Sequence, residues 1–259
     1  MPWFLKSCEL PVHLQLLVRD VAQPGSAHVW GACGRWFESS RPDKKSLCIC
    51  RGFFITTCSK ISTLQDMSQT EILRKSVTSI YHPGDAALEA FLSIWQEEQA
   101  PRKTILTRSG EVERSLYFIT EGIQRVYYYD EQDREATIVF TYAPSFGGVA
   151  DSFLTQTPSR FFVETLTPCT FLKTGFRQLD ELMKAHHSIE HLIRISTNYA
   201  FAGVLERMIE VQCFTAEEKF RALMKRSPHI LNMIPHKYIA NYLGMDATNF
   251  SKLLGKIRL

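Results

Sequence analysis

Eight lysines and arginines fall within residues 219–259: Lys219, Arg221, Lys225, Arg226, Lys237, Lys252, Lys256 and Arg258, against one acid, Asp246. The whole chain of 259 residues carries a formal charge of only +3, so its positive charge is concentrated at this end. Clustered cations bind polyanions by releasing the counterions condensed on phosphate. Catalytic chemistry has no comparable foothold. The chain shows no Ser–His–acid order, no glycine-rich loop of the Walker type and no cluster of metal ligands. No His occurs from residue 101 to 184, which removes the imidazoles that a metal-dependent barrel enzyme needs. The expectation is a protein with no catalytic residues and no metal.

The cations need helices to hold them. Residues 234–258 read IPHKYIANYLGMDATNFSKLLGKIR. Ile234, Tyr238, Ile239, Tyr242 and Leu243 give one apolar face at helical spacing. Pro235 suits a first turn, where a missing N–H costs little. Gly244 can adopt the left-handed conformation that ends the helix, and Asp246 can cap a second one through Phe250, Leu253, Leu254 and Ile257. Two short helices around a tight turn are the pattern of a helix-turn-helix, whose second helix enters the DNA major groove. An ordinary helical hairpin with a solvated basic face fits the same pattern.

Residues 101–176 predict a different architecture. LYFITEG, QRVYYYD and ATIVFTY are β-branched and aromatic runs separated by the turn signals DEQD and APSFGG. Gly110 and Gly122 stand where tight turns are expected. Short strands at regular spacing suggest a sandwich or barrel of the jelly-roll kind. Before it, DAALEAFLSIWQEEQA (85–100) reads as one amphipathic helix, with Leu88, Phe91, Leu92 and Trp95 on a shared face. After it, residues 185–213 predict a long helix. Its apolar residues Ile189, Leu192, Ile193, Tyr199, Phe201, Val204, Leu205, Met208 and Ile209 cover more than one face, so both sides should be covered, one by the roll and the other by a second subunit; burial inside one large monomer is the alternative.

YIANYLGMDATNFSKL resembles the C-terminal helix-turn-helix of the Crp/Fnr family of bacterial transcription regulators. TAEEKFRALMKRSPHILNMIPHKYIA also resembles that family, in the step from Ala216 to Phe220 and in the Pro before the helix pair. The resemblance extends over residues 70–259. It implies an α+β chain: a cyclic-nucleotide-binding-like β-roll (67–184), a dimerisation helix (185–213) and a helix-turn-helix DNA-binding domain (214–259). It implies a two-fold homodimer on double-stranded DNA, with RNA polymerase as a further partner and a cytoplasmic location. Base reading would fall to Ala247, Thr248 and Asn249 in the first helical turn, and to Ser251 and Lys252 beyond it. Lys237, Lys256 and Arg258 would touch phosphates, which position without specifying. The alternative is a ligand-binding or protein-interaction module whose helical tail does not bind DNA.

The ligand cassette departs from the family's cyclic-AMP pattern. That pattern runs Phe-x-Gly-Glu, then an Arg about a dozen residues on, then a small hydroxyl residue. Phe146, Gly147, Gly148 and Arg160 match it, and Arg160 with the glycine amides would bind a phosphate. Val149 replaces the ribose-binding Glu, and Phe161 replaces the small residue. Losing one hydrogen-bond partner in a closed site costs about 1–3 kcal/mol. The expected effector is therefore a cyclic-nucleotide-like or other anion distinct from cyclic AMP, or none.

Five of the seven cysteines (Cys8, Cys33, Cys48, Cys50 and Cys58) lie in the first 66 residues, without a Cys-x-x-Cys motif. An apolar run from Leu14 to Val18 is broken by Arg19 and Asp20, which argues against a signal peptide. Residues 20–43, DVAQPGSAHVWGACGRWFESSRPD, resemble the conceptual translation of a transfer-RNA gene. The expectation is that native translation starts at Met67 and that residues 1–66 are non-native and disordered. Peptides upstream of Met67 in the native protein's mass spectrum would refute it. Cys169 and Cys213 stand alone, as in a reducing compartment. No run reaches 18 apolar residues, so no membrane span is expected.

Overall fold

A computed structural model describes residues 67–256. The expectations for residues 1–66, and the parts given to Ile257 and Arg258, lie outside the described residues. Two helices come first. Helix α1 (Gln69–Ile80) starts at Ser68, whose hydroxyl accepts from the Glu71 amide at 3.2 Å. Helix α2 (Asp85–Ser93) buries Ala87, Leu88, Phe91 and Leu92, spaced as one helical face.

Eight strands follow: β1 (Gln96–Ala100), β2 (Ile105–Thr107), β3 (Ser115–Glu121), β4 (Ile123–Tyr129), β5 (Glu135–Tyr142), β6 (Ser145–Gly147), β7 (Phe162–Thr165) and β8 (Cys169–Gly175). They form two antiparallel four-stranded sheets, ordered β1-β8-β3-β6 and β2-β7-β4-β5. Helix α3 (Ala150–Thr155) bridges β6 and β7.

The single amphipathic helix expected over 85–100 is corrected here. The helix ends at Ser93, and residues 96–100 pair with β8 from Gln96↔Lys173 to Ala100↔Cys169. QEEQ favours a helix in isolation, but β8 offers an open edge whose backbone groups need partners. Glu98 and Lys173 meet across that edge at 3.0 Å. Trp95 stays buried, at the join.

The expected turn at Gly122 is present at φ +89°. A Cβ there would lie 2.3 Å from the Pro168 carbonyl oxygen and 2.7 Å from Cys169 Sγ, so only glycine fits. Asp130 closes the β4–β5 hairpin by accepting from the amides of Gln132 and Arg134.

Helix α4 (Phe176–Ala185) leads into α5 (His187–Cys213). Together with α1 and α2, the start of α5 forms a core under the first sheet, joining Leu73, Phe91, Leu179, Ile189 and Leu192 to Phe118 and Leu172. Farther along, α5 leaves open within the chain the side expected to pack on a second subunit. Phe201 (59% exposed), Val204, Leu205, Met208 (54%) and Ile209 lie on its surface. Helices α6 (Ala216–Arg226), α7 (Ile230–Met233), α8 (His236–Tyr242) and α9 (Ala247–Lys256) complete the described chain. No helix among the described residues is long and apolar enough to cross a membrane.

Candidate nucleic-acid interface and effector pocket

The basic end is built around one core, which it shares with Ile123, Phe140 and Leu166 of the roll. Phe220, Leu223, Ile230, Ile234, Tyr238, Ile239, Leu243 and Phe250 are all buried in it. Thr215 and Glu218 cap α6 reciprocally: the Thr215 hydroxyl accepts from the Glu218 amide, and the Glu218 carboxylate accepts from the Thr215 amide at 2.8 Å. That backbone bond, with the Thr215 hydroxyl, holds the Glu218 carboxyl below its ordinary range.

Between α8 and α9 the chain turns as expected. Gly244 takes φ +69° and donates to the Asn241 carbonyl at 3.0 Å. The Asp246 carboxylate then accepts from the Asn249 amide at 2.8 Å, capping α9. Pro235 sits at the N-cap of α8, just before its first turn.

Phe250 anchors α9 inward, with its ring 5.8 Å from that of Phe220. Ala247, Thr248, Asn249, Ser251, Lys252 and Lys256 are all exposed. Lys237 is exposed on α8, its ammonium 4.6 Å from the Tyr238 ring centre. The structure therefore brings every described member of the expected base-reading and phosphate-contacting set onto one helix pair. The Asn249 side-chain N–H also bonds the Asp246 carboxylate.

The ligand cassette is less well assembled. Gly147 is buried in β6: a Cβ would sit 2.8 Å from Ile119 Cδ1 and 3.0 Å from Gln124 Oε1. Gly148 takes φ +99° beside the Tyr117 ring. Val149 is buried with Val126 and Val163, and Phe161 packs on the same cluster. Arg160 instead is exposed, 5.9 Å from the Tyr128 ring centre. It borders an open cleft of about 600 Å³ with Ser109, Tyr128, Tyr129 and Phe162, and neither Gly147 nor Gly148 lines that cleft. The side-chain polar atoms of Gln124 and Thr141 Oγ1 are buried without a hydrogen-bond partner among the described residues.

Two buried polar centres have no counterpart in the sequence reading. Glu113 is 3% exposed; it accepts from the Thr107 hydroxyl and from the Ser115 amide at 3.1 Å. Burial pushes its carboxyl up, opposed by the Thr107 hydroxyl and by the Ser115, Val149 and Arg114 amides. Arg125 binds Glu164 at 2.8 Å and Glu135 at 2.6 Å, and its guanidinium lies between the rings of Tyr127 (3.9 Å) and Tyr238 (4.1 Å). The one sequence signal was Gln124–Arg125, a polar pair inside an otherwise apolar strand.

The described chain thus joins an eight-stranded roll, a long helix and a terminal helix pair. Residues 97–186 match the cyclic nucleotide-binding domain family. The chain is 25% identical over 138 residues to the cAMP-activated global transcriptional regulator CRP of Haemophilus influenzae, covering 49% of this chain and 62% of that protein. It is 27% identical over 116 residues to CRP of Salmonella typhimurium, covering 45% and 54%. The chain thus spans less than two thirds of the length of these curated relatives. In fold it is similar to FixK2 of Bradyrhizobium japonicum (TM-score 0.57, 15% identity, 63% of this chain and 84% of that one). It is also similar to the c-di-GMP responsive global regulator CLP of Xanthomonas campestris (TM-score 0.52, 18% identity, 66% and 91%). The chain is thus similar in part of its sequence to CRP and in fold to regulators of this kind.

Proposed function

We propose that this chain is a sequence-specific DNA-binding transcription regulator. It acts as a homodimer paired along α5, and its roll takes an effector other than cyclic AMP or none. In this reading residues 67–184 form the roll, 185–213 the dimerisation helix and 214–259 the DNA-binding domain. The observation that carries it is the exposed face of α9, where Thr248, Asn249, Ser251 and Lys252 surround a helix anchored by Phe250. Thr and Asn can bond base edges, Ala247 can touch a thymine methyl, and Lys252 can reach guanine. Lys237 and Lys256 serve phosphates, as Arg258 would.

The apolar stripe on α5 supports pairing. A second copy would cover Phe201, Val204, Leu205, Met208 and Ile209, and would give the two reading helices two half-sites about one turn of DNA apart. The roll's interior speaks against cyclic AMP. Val149 and Phe161 fill it with apolar side chains, and beside Gly147 the groups without a hydrogen-bond partner among the described residues are a neutral amide and a hydroxyl, Gln124 and Thr141. An effector shifts the arrangement of the helix pair only by its differential affinity for two states of the dimer. The same reading puts the chain in the cytoplasm, with RNA polymerase as a further partner and no catalytic role.

Selection from random duplexes at two salt concentrations, with and without cyclic nucleotides, tests this. Enrichment of a two-fold symmetric site, weakened by salt and by Lys252→Ala, is the expected outcome. Failure to enrich any sequence overturns the reading. Calorimetric binding of cyclic AMP at low micromolar affinity overturns its effector part.

A further inference from the structure

Strand β5 is the edge of its sheet, paired with β4 on one side only. An edge strand presents a row of unpaired backbone groups that something must cover. Here the cover is a single side chain from the helix-turn-helix. Asn241, on α8, accepts from the Thr137 amide at 2.5 Å through Oδ1, and through Nδ2 it donates to the Glu135 carbonyl at 2.7 Å. Residues 135 and 137 point the same way along a strand, so one carboxamide reproduces two rungs of a missing neighbouring strand. Neighbouring contacts close the same face. Tyr238 lies against the Arg125 guanidinium, the Tyr242 ring is 5.1 Å from that of Phe140, and the Tyr142 hydroxyl bonds Ser227 Oγ.

We propose that Asn241 is a positioning residue that fixes the DNA-reading helix by hooking α8 onto the free edge of β5. The docked state leaves the reading surface open, because Thr248, Asn249, Ser251, Lys252 and Lys237 are all exposed while the hook is closed. Docking therefore orients α9 before DNA arrives, and binding a two-fold site no longer bears the cost of ordering two loose heads. A hook through two hydrogen bonds also makes the roll the part that sets the angle of the reading helix. This inference rests on the DNA-binding reading, whereas the contact itself can be tested without DNA.

Amide exchange at Thr137, followed by NMR in the full chain, reads the contact. Asn241→Ala should speed that exchange, and so should Asn241→Asp, which keeps an acceptor for the Thr137 amide but sets a second carboxylate oxygen against the Glu135 carbonyl in place of the Nδ2 donor. In binding assays Asn241→Ala should weaken affinity for the selected two-fold site on the order of tenfold, the scale of one or two hydrogen bonds. Its weaker binding to unrelated duplex, and the salt dependence of that binding, should stay as in the wild type. Thr137 exchange unchanged in Asn241→Ala overturns the hook, as does a freed Thr137 with unaltered affinity for the two-fold site. If the wild-type chain selects no DNA, the regulator reading falls by itself, and Thr137 exchange still decides whether the hook exists.

Discussion

Glu113 sits in the roll without a Lys or Arg partner among the described residues; its carboxylate is held by a hydroxyl and backbone amides. Burial raises its pKa above the ordinary 4.5, so in the window above that value the folded chain binds more protons than the unfolded one. Stability then falls as pH rises through this window. Glu113→Gln, which cannot ionise, should lose this dependence. Urea denaturation at pH 5 and pH 7 should show the wild type losing stability relative to the variant, and parallel losses would disprove the assignment. Arg125 is the opposite case, a buried cation with two carboxylates. Arg125→Ala strands Glu164, itself 8% exposed, and should cost about 3–5 kcal/mol of unfolding free energy. A cost below about 1 kcal/mol would mean that water reaches the site.

Among the elements, α9 depends most visibly on a single residue. Asp246→Ala removes its cap and should lower stability by about 0.5–2 kcal/mol, read as a drop in the thermal midpoint. How much of each element the sequence reveals depends on how local its determinants are. Gly244, Asp246 and Phe250 fall within seven residues, and their turn, cap and anchor follow from types and spacing alone. The runs that became β3, β4 and β5 are equally legible, since alternation and turn residues are written side by side. QEEQA is not: its helical composition is overruled by β8, whose paired residues lie 69 to 77 positions farther along. The contact between Asn241 and Thr137 spans 104 positions and has no local signature at all. For the same reason Arg160, recognised from a local cassette, lies on the outer surface beside Tyr128, while Gly147 and Val149 are buried. Arg160 lies in the bend before β7, and spacing along the chain does not fix which way such a loop residue faces.

For the molecule as a whole, the exposed stripe of α5 is the surface that pairing covers in the proposed dimer. Val204→Glu combined with Met208→Glu places charge on the exposed stripe without touching the buried Ile189 and Leu192. Sedimentation should show the wild type as a dimer and this variant as a monomer, with affinity for the two-fold site falling by more than tenfold. A variant that remains dimeric would place the interface elsewhere. Pairing along that stripe also carries a consequence for dose. Where the dimer is mostly dissociated, the amount of paired protein grows with the square of the chain's concentration. A doubling of synthesis then gives close to a fourfold rise in molecules able to grip both half-sites. The apolar stripe that α5 leaves in water would thus act as a counter of copies, turning a gradual change in expression into a steeper change in promoter occupancy with no small molecule involved.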